Sequence, residues 1–556
     1  MARITRHPDH LKPRAPETQS SFSFASRTLE SGRGAPYPSA VAMAPLHFGK
    51  NSLMNESSQT SAPLGQPGAA PLNSGPLDAD PQNAGLQNAG AVPGGVRLRA
   101  NKLGVVAIAF FAIAAAAPMA AVVGASPVIF SASGPGTPVI YVIAALLVAL
   151  FSVGYLRMSQ HITNAGGFVA YIAKGLGNKW ATGGAGIAIL TYLSLQIGLW
   201  SQFGVFAQQL IESLTGLGLP VYFWIVVVMA ITTVLTMKGV DASLKVLGVL
   251  ILGETLVVAA LVISLVAQKG LGIFTLAGFT GESIFGPGLG ISLLFAFACF
   301  TSFEATVVFA EEAKEPRRTI PRAAYLVIAF IGVFYMVSTW AISGAVGIDG
   351  IQAVATENPS GMIFELAESS AGAWLSIAMQ VLVVTSFIAM LLGLSNMFSR
   401  YLFALGRAGA LPAKLSSVSA TGAPSFAGLV NSLAVLAVIS AFLLAGADPI
   451  ATVFAWFVAL GTAGFISILL LTSAAVLVYF ARSGTRDNLW VTVIAPALSF
   501  LAFVVVGYLT LENYDVLLGG AGGVARWLLL GIPLIFLAGL IRGNQKPAIN
   551  YAAEIL

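Results

Sequence analysis

From about Leu103 to Arg542 the chain alternates apolar runs of roughly twenty residues with short polar stretches. A run of that length covers about 30 Å at about 1.5 Å per residue, the thickness of a bilayer's hydrocarbon layer. The pattern predicts about twelve membrane helices. They fall near 103–130, 137–157, 181–212, 219–237, 244–267, 288–311, 321–346, 373–404, 425–445, 449–480, 488–510 and 523–541, and are called helices 1 to 12. Residues 1–95 contain no such run. They are rich in Pro, Gly, Ser, Ala and Asn, a composition that cannot bury a core and reads as a disordered cytoplasmic tail. No apolar segment follows its early Arg and Lys residues, so it is not read as a signal peptide; Met43 and Met54 are alternative start sites. The expected domains are this tail, a transmembrane domain over 96–546, and a short cytoplasmic tail at 547–556.

Charge supports this register. With the N-terminus cytoplasmic, the basic residues of the linking segments, from Arg97 through Arg157, Lys238, Arg317, Arg400 and Arg482 to Lys546, fall inside. Only Lys269 and Arg526 fall outside, where Glu282, Asp349, Glu357, Asp448, Glu512 and Asp515 lie. A wrong helix count would scramble that partition. The net charge of +5 is therefore topological and gives no reason to expect nucleic acid. With 57% hydrophobic and 9% charged residues, the chain is an all-α polytopic membrane protein rather than a soluble domain. Cys299 is its single cysteine and three of its four histidines lie in the tail, leaving His161. No disulfide framework, metal or cofactor is expected, and a membrane-embedded enzyme would need a richer cluster. No Walker A pattern appears, which argues against direct ATP use.

Two helices are expected to break at corresponding places in two five-helix halves. Helix 1 contains Ala114-Ala-Ala-Ala-Pro-Met-Ala-Ala-Val-Val-Gly-Ala-Ser-Pro127, in which Pro118 lacks an N–H and strains the turn before it. Helix 6 carries the polar stretch Cys299-Phe-Thr-Ser-Phe-Glu304. Paired discontinuities point to a substrate site at the membrane midplane, where freed N–H groups attract a carboxylate and freed carbonyls accept from an ammonium. A zwitterionic amino acid suits such a site. The bland alternative is that Pro118 only kinks a packed helix.

Three segments resemble the amino acid–polyamine–organocation (APC) permease superfamily. They are Phe297-Ala-Cys-Phe-Thr-Ser-Phe-Glu-Ala-Thr306 followed by Glu311-Glu-Ala-Lys-Glu-Pro-Arg-Arg-Thr-Ile-Pro-Arg-Ala323, then Ser395-Asn-Met-Phe-Ser-Arg-Tyr-Leu-Phe-Ala-Leu-Gly-Arg-Ala-Gly-Ala-Leu-Pro412, and Asn164-Ala-Gly-Gly-Phe-Val-Ala-Tyr171. The resemblance implies a LeuT-type 5+5 inverted repeat with broken helices 1 and 6 plus two extra helices. It implies secondary-active import of an amino acid across the cytoplasmic membrane, proton-coupled (or Na⁺-coupled), by alternating access. A polyamine or amine importer, an amino acid/amine exchanger and a non-transporting nutrient sensor are the alternatives. Substrate contacts are expected from Ala117, Pro118, Met119, Ala120 and Ala121 on helix 1, and from Phe297, Ala298, Cys299, Phe300 and Thr301 on helix 6. The chain departs from the family pattern at three points. Ser302 stands where a glycine is usual, helix 1 lacks the common Gly-Ser-Gly run, and Glu254 lies where the resemblance implies a lysine.

Single residues remain open between two roles. A carboxylate at mid-membrane depth costs about 2.5–3.5 kcal/mol on insertion scales, so Glu304 and Glu254 are coupling candidates or else hydrogen-bonded structural acids. Phe297, Phe300 and Phe303 face lipid, or one of them, Phe300, gates the pocket. Trp456 is a candidate outer gate, and Tyr192 and Gln196 line the pocket or tie helices together. Thr385 and Ser386 offer hydroxyls to a Na⁺ or simply pack, and His161 reads as a solvated loop residue. Glu311, Glu312, Lys314, Arg317, Arg318 and Arg322 form an inner charge cluster that is either solvated or a latch.

Overall fold

The computed structural model describes residues 103–162, 167–238, 244–308, 313–419, 422–484, 488–512 and 526–545, with Tyr514, Ile549 and Tyr551 beyond them. The expected 1–95 tail, Glu311 and Glu312 lie outside the described residues. Among those described the regular structure is helical, and the one extended pairing is an isolated bridge between Leu103 and Ala313. There Lys314 N–H donates to Leu103 O at 2.8 Å, tying the start of helix 1 to the segment that follows helix 6.

Ten helices among the described residues are long and apolar enough to cross a membrane. The first stretch, Val105–His161, holds both helix 1 and helix 2 and turns at Gly134–Gly136. Helix 4, Val221–Met237, is shorter at 17 residues. Helix 3 runs from Asn178 to Thr215 and helix 8 from Ala373 to Arg407, several residues past their apolar runs. The added residues, among them Asn178, Lys179, Thr215 and Arg407, end the apolar run without ending the helix, so a hydropathy reading stops short of them. The helices Gly167–Leu176, Ile351–Glu357 and Met362–Ala371 were not expected, because each is too short to cross.

Helix 3 is the central post. It packs along helices 8, 10 and 12 and buries Trp200, Phe203 and Phe206. An amide pair fixes its middle: Gln196 Nε2 donates to Asn431 Oδ1 at 3.2 Å, and Asn431 Nδ2 returns to Gln196 Oε1 at 2.9 Å. Ser395 Oγ adds a bond to the same Oε1 at 3.2 Å, joining helices 3, 9 and 8. Such interhelical bonds are worth about 0.6–2 kcal/mol each in membranes. Helices 5 and 12 instead turn apolar side chains outward, among them Val249, Leu252, Ile263, Leu534 and Leu537, as lipid-facing helices do.

Candidate substrate site

Helix 1 breaks where proline chemistry says it should. The helix Val105–Ala116 ends at Ala117, which is fully buried and left-handed at φ 47°, ψ 70°. That region costs an L-residue roughly 1–2 kcal/mol, so the surrounding packing must hold it. Pro118 follows, with no N–H to give and a ring that drives the preceding residue out of the right-handed helix. The chain restarts as Pro118–Ala120, widens into a π-helical turn at Ala121–Ala125, and resumes as Ser126–Ser133. The restart frees Met119 N–H, which donates to Glu254 Oε2 at 3.1 Å. Glu254, buried on helix 5, is thus a cap for the second half of helix 1.

Helix 6 is interrupted at the expected stretch, though by a tightened turn. It does not open; after Leu289–Phe300 it tightens into a 3-10 turn at Thr301–Glu304 and continues at Ala305–Val308. Ser302 lacks a glycine's freedom, and the aromatic residues around it are pinned by packing. Phe297 meets Phe503, Phe300 meets Tyr335 and Phe303 meets Phe151, at ring separations of 5.8, 6.1 and 6.0 Å. All three are buried inside the protein, so none faces lipid.

A cavity of about 50 Å³ lies between these two segments. Helix 1 contributes Ala115, Ala116, Ala120, Ala121 and Ala125, and helix 6 contributes Phe295, Ala298, Cys299 and Thr301. Leu195, Leu199 and Gln202 of helix 3, Met390 and Leu394 of helix 8, and Phe454 and Val458 of helix 10 complete it. Ala120, Ala121, Ala298, Cys299 and Thr301 were anticipated. Ala117, Pro118, Met119, Phe297 and Phe300 do not line the cavity, and neither acid lines it. Trp456 packs against Phe442 at 6.3 Å, while Phe454 takes the place at the wall. The π-helical turn Pro449–Phe454 inserts a residue ahead of helix 10 and so rotates which side chain points inward.

Glu304 sits in a second polar site. Tyr192 O–H donates to its Oε2, and Phe168 N–H donates to the same carboxylate. Gly167, at φ +54°, brings its backbone so close that an added Cβ would stand 2.7 Å from Glu304 Oε1. Tyr192 in turn packs against Phe398 and Tyr401 at 6.1 and 6.2 Å. Tyr192 and Gln196 therefore tie helices together rather than line the cavity. Thr385 Oγ1 bonds back to Val381 O and Leu382 O at 3.1 Å each, while Ser386 Oγ is buried beside Glu254. His161 packs near Tyr479 and edge-on to Phe480, and Arg318 pairs with Glu315 in its own turn at 3.6 Å, both partners exposed.

The three motif segments, far apart in sequence, thus meet around one carboxylate. A family model described as amino acid permease matches residues 103–517. The chain belongs to the amino acid permease family. It is similar to the branched-chain amino acid permease BcaP of Lactococcus lactis subsp. cremoris, 26% identical over 330 residues, or 55% of this chain and 68% of that one. It is also similar to the vacuolar cationic amino acid transporter 4 of Arabidopsis thaliana, 25% identical over 308 residues, 52% of this chain and 49% of that one. The chain thus spans about half of the second relative's length. The permease is a multi-pass membrane protein of a transporter family.

Eleven wall residues of the permease were not among the expected contacts, and three of them bear on the chemistry of the cavity. Phe295 and Phe454 approach each other at 5.8 Å across the cavity, and Gln202 reaches it from helix 3. Gln202 offered one signal, an amide within the apolar middle of its helix, six residues beyond Gln196. Phe454 offered none.

Proposed function

We propose that this permease imports a neutral, apolar amino acid across the cytoplasmic membrane by proton-coupled alternating access. The observation that carries this reading is the wall of the cavity, which is built mainly from Ala, Leu, Met, Val and Phe, has Gln202, Cys299 and Thr301 as its neutral polar members, and contains no acidic or basic side chain. A cationic amino acid or a polyamine entering it would face an uncompensated charge at high cost. An α-amino acid brings its own counter-charge, and its apolar side chain is favoured against such a wall. The branched-chain specificity in the name of one relative agrees with that lining.

In this reading the chain crosses twelve times, the two crossings of Val105–His161 and the short Val221–Met237 included, with both termini cytoplasmic. The two five-helix halves form an inverted repeat, and one bundle rocks against the rest around the midplane cavity. Glu304 and Glu254 are the proton-coupling candidates. Each holds a free backbone N–H at the start of a helical segment, Phe168 for Glu304 and Met119 for Glu254. Protonating either carboxylate weakens its hold on that segment, which links proton binding to backbone movement. Uptake of labelled neutral, cationic and amine substrates into proteoliposomes, with and without a pH gradient, tests the proposal. Import of neutral amino acids driven by an inward proton gradient supports it; preference for polyamines or arginine contradicts it.

A further inference from the structure

Gln202 carries an amide that the protein frame only half uses. It is buried on helix 3, and its Nε2 donates to Gly124 O at 3.1 Å in the π-helical turn of helix 1. Its Oε1 accepts no hydrogen bond from any described residue, and the side chain lines the cavity. The other polar side chains of the wall are engaged with their own helix. Thr301 Oγ1 donates to Ala298 O at 2.9 Å and Cys299 Sγ to Phe295 O at 3.4 Å.

An α-ammonium group has three N–H donors and no acceptor, and it must be re-solvated by acceptors when it leaves water. The break at Ala117 leaves carbonyls at the end of the first half-helix without their helical partners, and Ala115 and Ala116 sit at the cavity. We infer that Gln202 Oε1 joins these carbonyls as an acceptor for the substrate's primary α-ammonium group, making Gln202 the residue that selects α-amino acids over their deaminated analogues. The inference rests on the cavity being the amino acid site. An amide oxygen attracts the ammonium without neutralising it. A free amine therefore gains too little to enter, and the zwitterion is preferred.

The test separates this role from the tie to Gly124, because Gln202→Leu and Gln202→Glu both remove the donated bond while only Gln202→Glu keeps an acceptor. Uptake of labelled leucine into proteoliposomes is measured for both variants and wild type. The competitors are 4-methylpentanoate, which lacks the amine, and 3-methylbutylamine, which lacks the carboxylate. The wild type should be inhibited by unlabelled leucine and by neither analogue. Gln202→Leu should raise KM about tenfold or more with little change in maximal rate, the loss expected for one charge-assisted hydrogen bond. Gln202→Glu should keep a near wild-type KM and become sensitive to 3-methylbutylamine. Equal losses in the two variants, or an unchanged KM in Gln202→Leu, would overturn the inference. A wild type that transports no labelled neutral amino acid would overturn the substrate reading beneath it.

Discussion

The Tyr192 hydroxyl donates its hydrogen bond to Glu304, joining the central helix 3 to helix 6 at the last residue of the 3-10 turn. The same carboxylate receives Phe168 N–H, so one acid holds helix 3, helix 6 and the Gly167–Leu176 helix together. Glu304→Gln keeps the size of the side chain but replaces one acceptor oxygen with a donor, so the Tyr192 hydroxyl must turn round to accept if Phe168 N–H is to keep the amide oxygen. Uptake should fall about fivefold or more, since a disturbed buried donor costs about 1–3 kcal/mol, and what remains should lose its pH dependence. Full activity with an unaltered pH profile between pH 5 and 8 would remove Glu304 from the coupling scheme.

Gly167 is required twice over at this contact. Its φ of +54° is left-handed, and an added Cβ would stand 2.7 Å from Glu304 Oε1. Gly167→Ala should therefore expel the carboxylate from the helix start and cost about 1–2 kcal/mol of stability from the backbone penalty alone, lowering the melting temperature of the detergent-purified protein. Fluorescence-monitored thermal unfolding reads this directly, and an unshifted transition would mean that the contact is dispensable.

At the other acid the expected outcomes diverge between two substitutions. Glu254→Gln retains an oxygen to accept from Met119 N–H and should fold normally, whereas Glu254→Leu leaves that N–H unpaired in a buried break. The leucine variant should lose roughly 1–3 kcal/mol of stability. If Glu254 also carries the transported proton, the glutamine variant should exchange substrate across the membrane at near wild-type rates but fail to concentrate it against a gradient. Retained pH-driven accumulation would assign Glu254 to capping alone.

Much of this was legible in the chain. Helix positions followed from apolar run length, and the break at Ala117 followed from Pro118, because both depend on local chemistry. Glu254 and Glu304 stood out because acids are rare in such surroundings. What did not show was which side chains meet. Phe454 instead of Trp456 faces the cavity because a π-helical turn shifts the register, and hydropathy carries no sign of one. The tightening of helix 6, where an opening was expected, depends on Phe297, Phe300 and Phe303 meeting residues of three other helices. Helix Gly167–Leu176 was invisible as an element, yet its first two residues explain the glycine-rich segment that marked the family.

Gly124 offers a check on the cavity itself. A Cβ there would stand 2.7 Å from Gln202 Nε2, inside contact distance, so Gly124→Ala should push the amide away from helix 1. The thermal stability should change little, because a side-chain amide can swing aside, while KM for the transported amino acid should rise severalfold. A KM equal to wild type would place the substrate elsewhere.

The most direct measurement of the central claim is uptake of labelled leucine into proteoliposomes holding the purified full-length protein, with and without an imposed inward proton gradient. The account predicts saturable uptake that the gradient drives above equilibrium and that neutral apolar amino acids inhibit, with arginine and spermidine ineffective. Uptake indifferent to the gradient, or inhibited by the cations and not by the neutral amino acids, would contradict it.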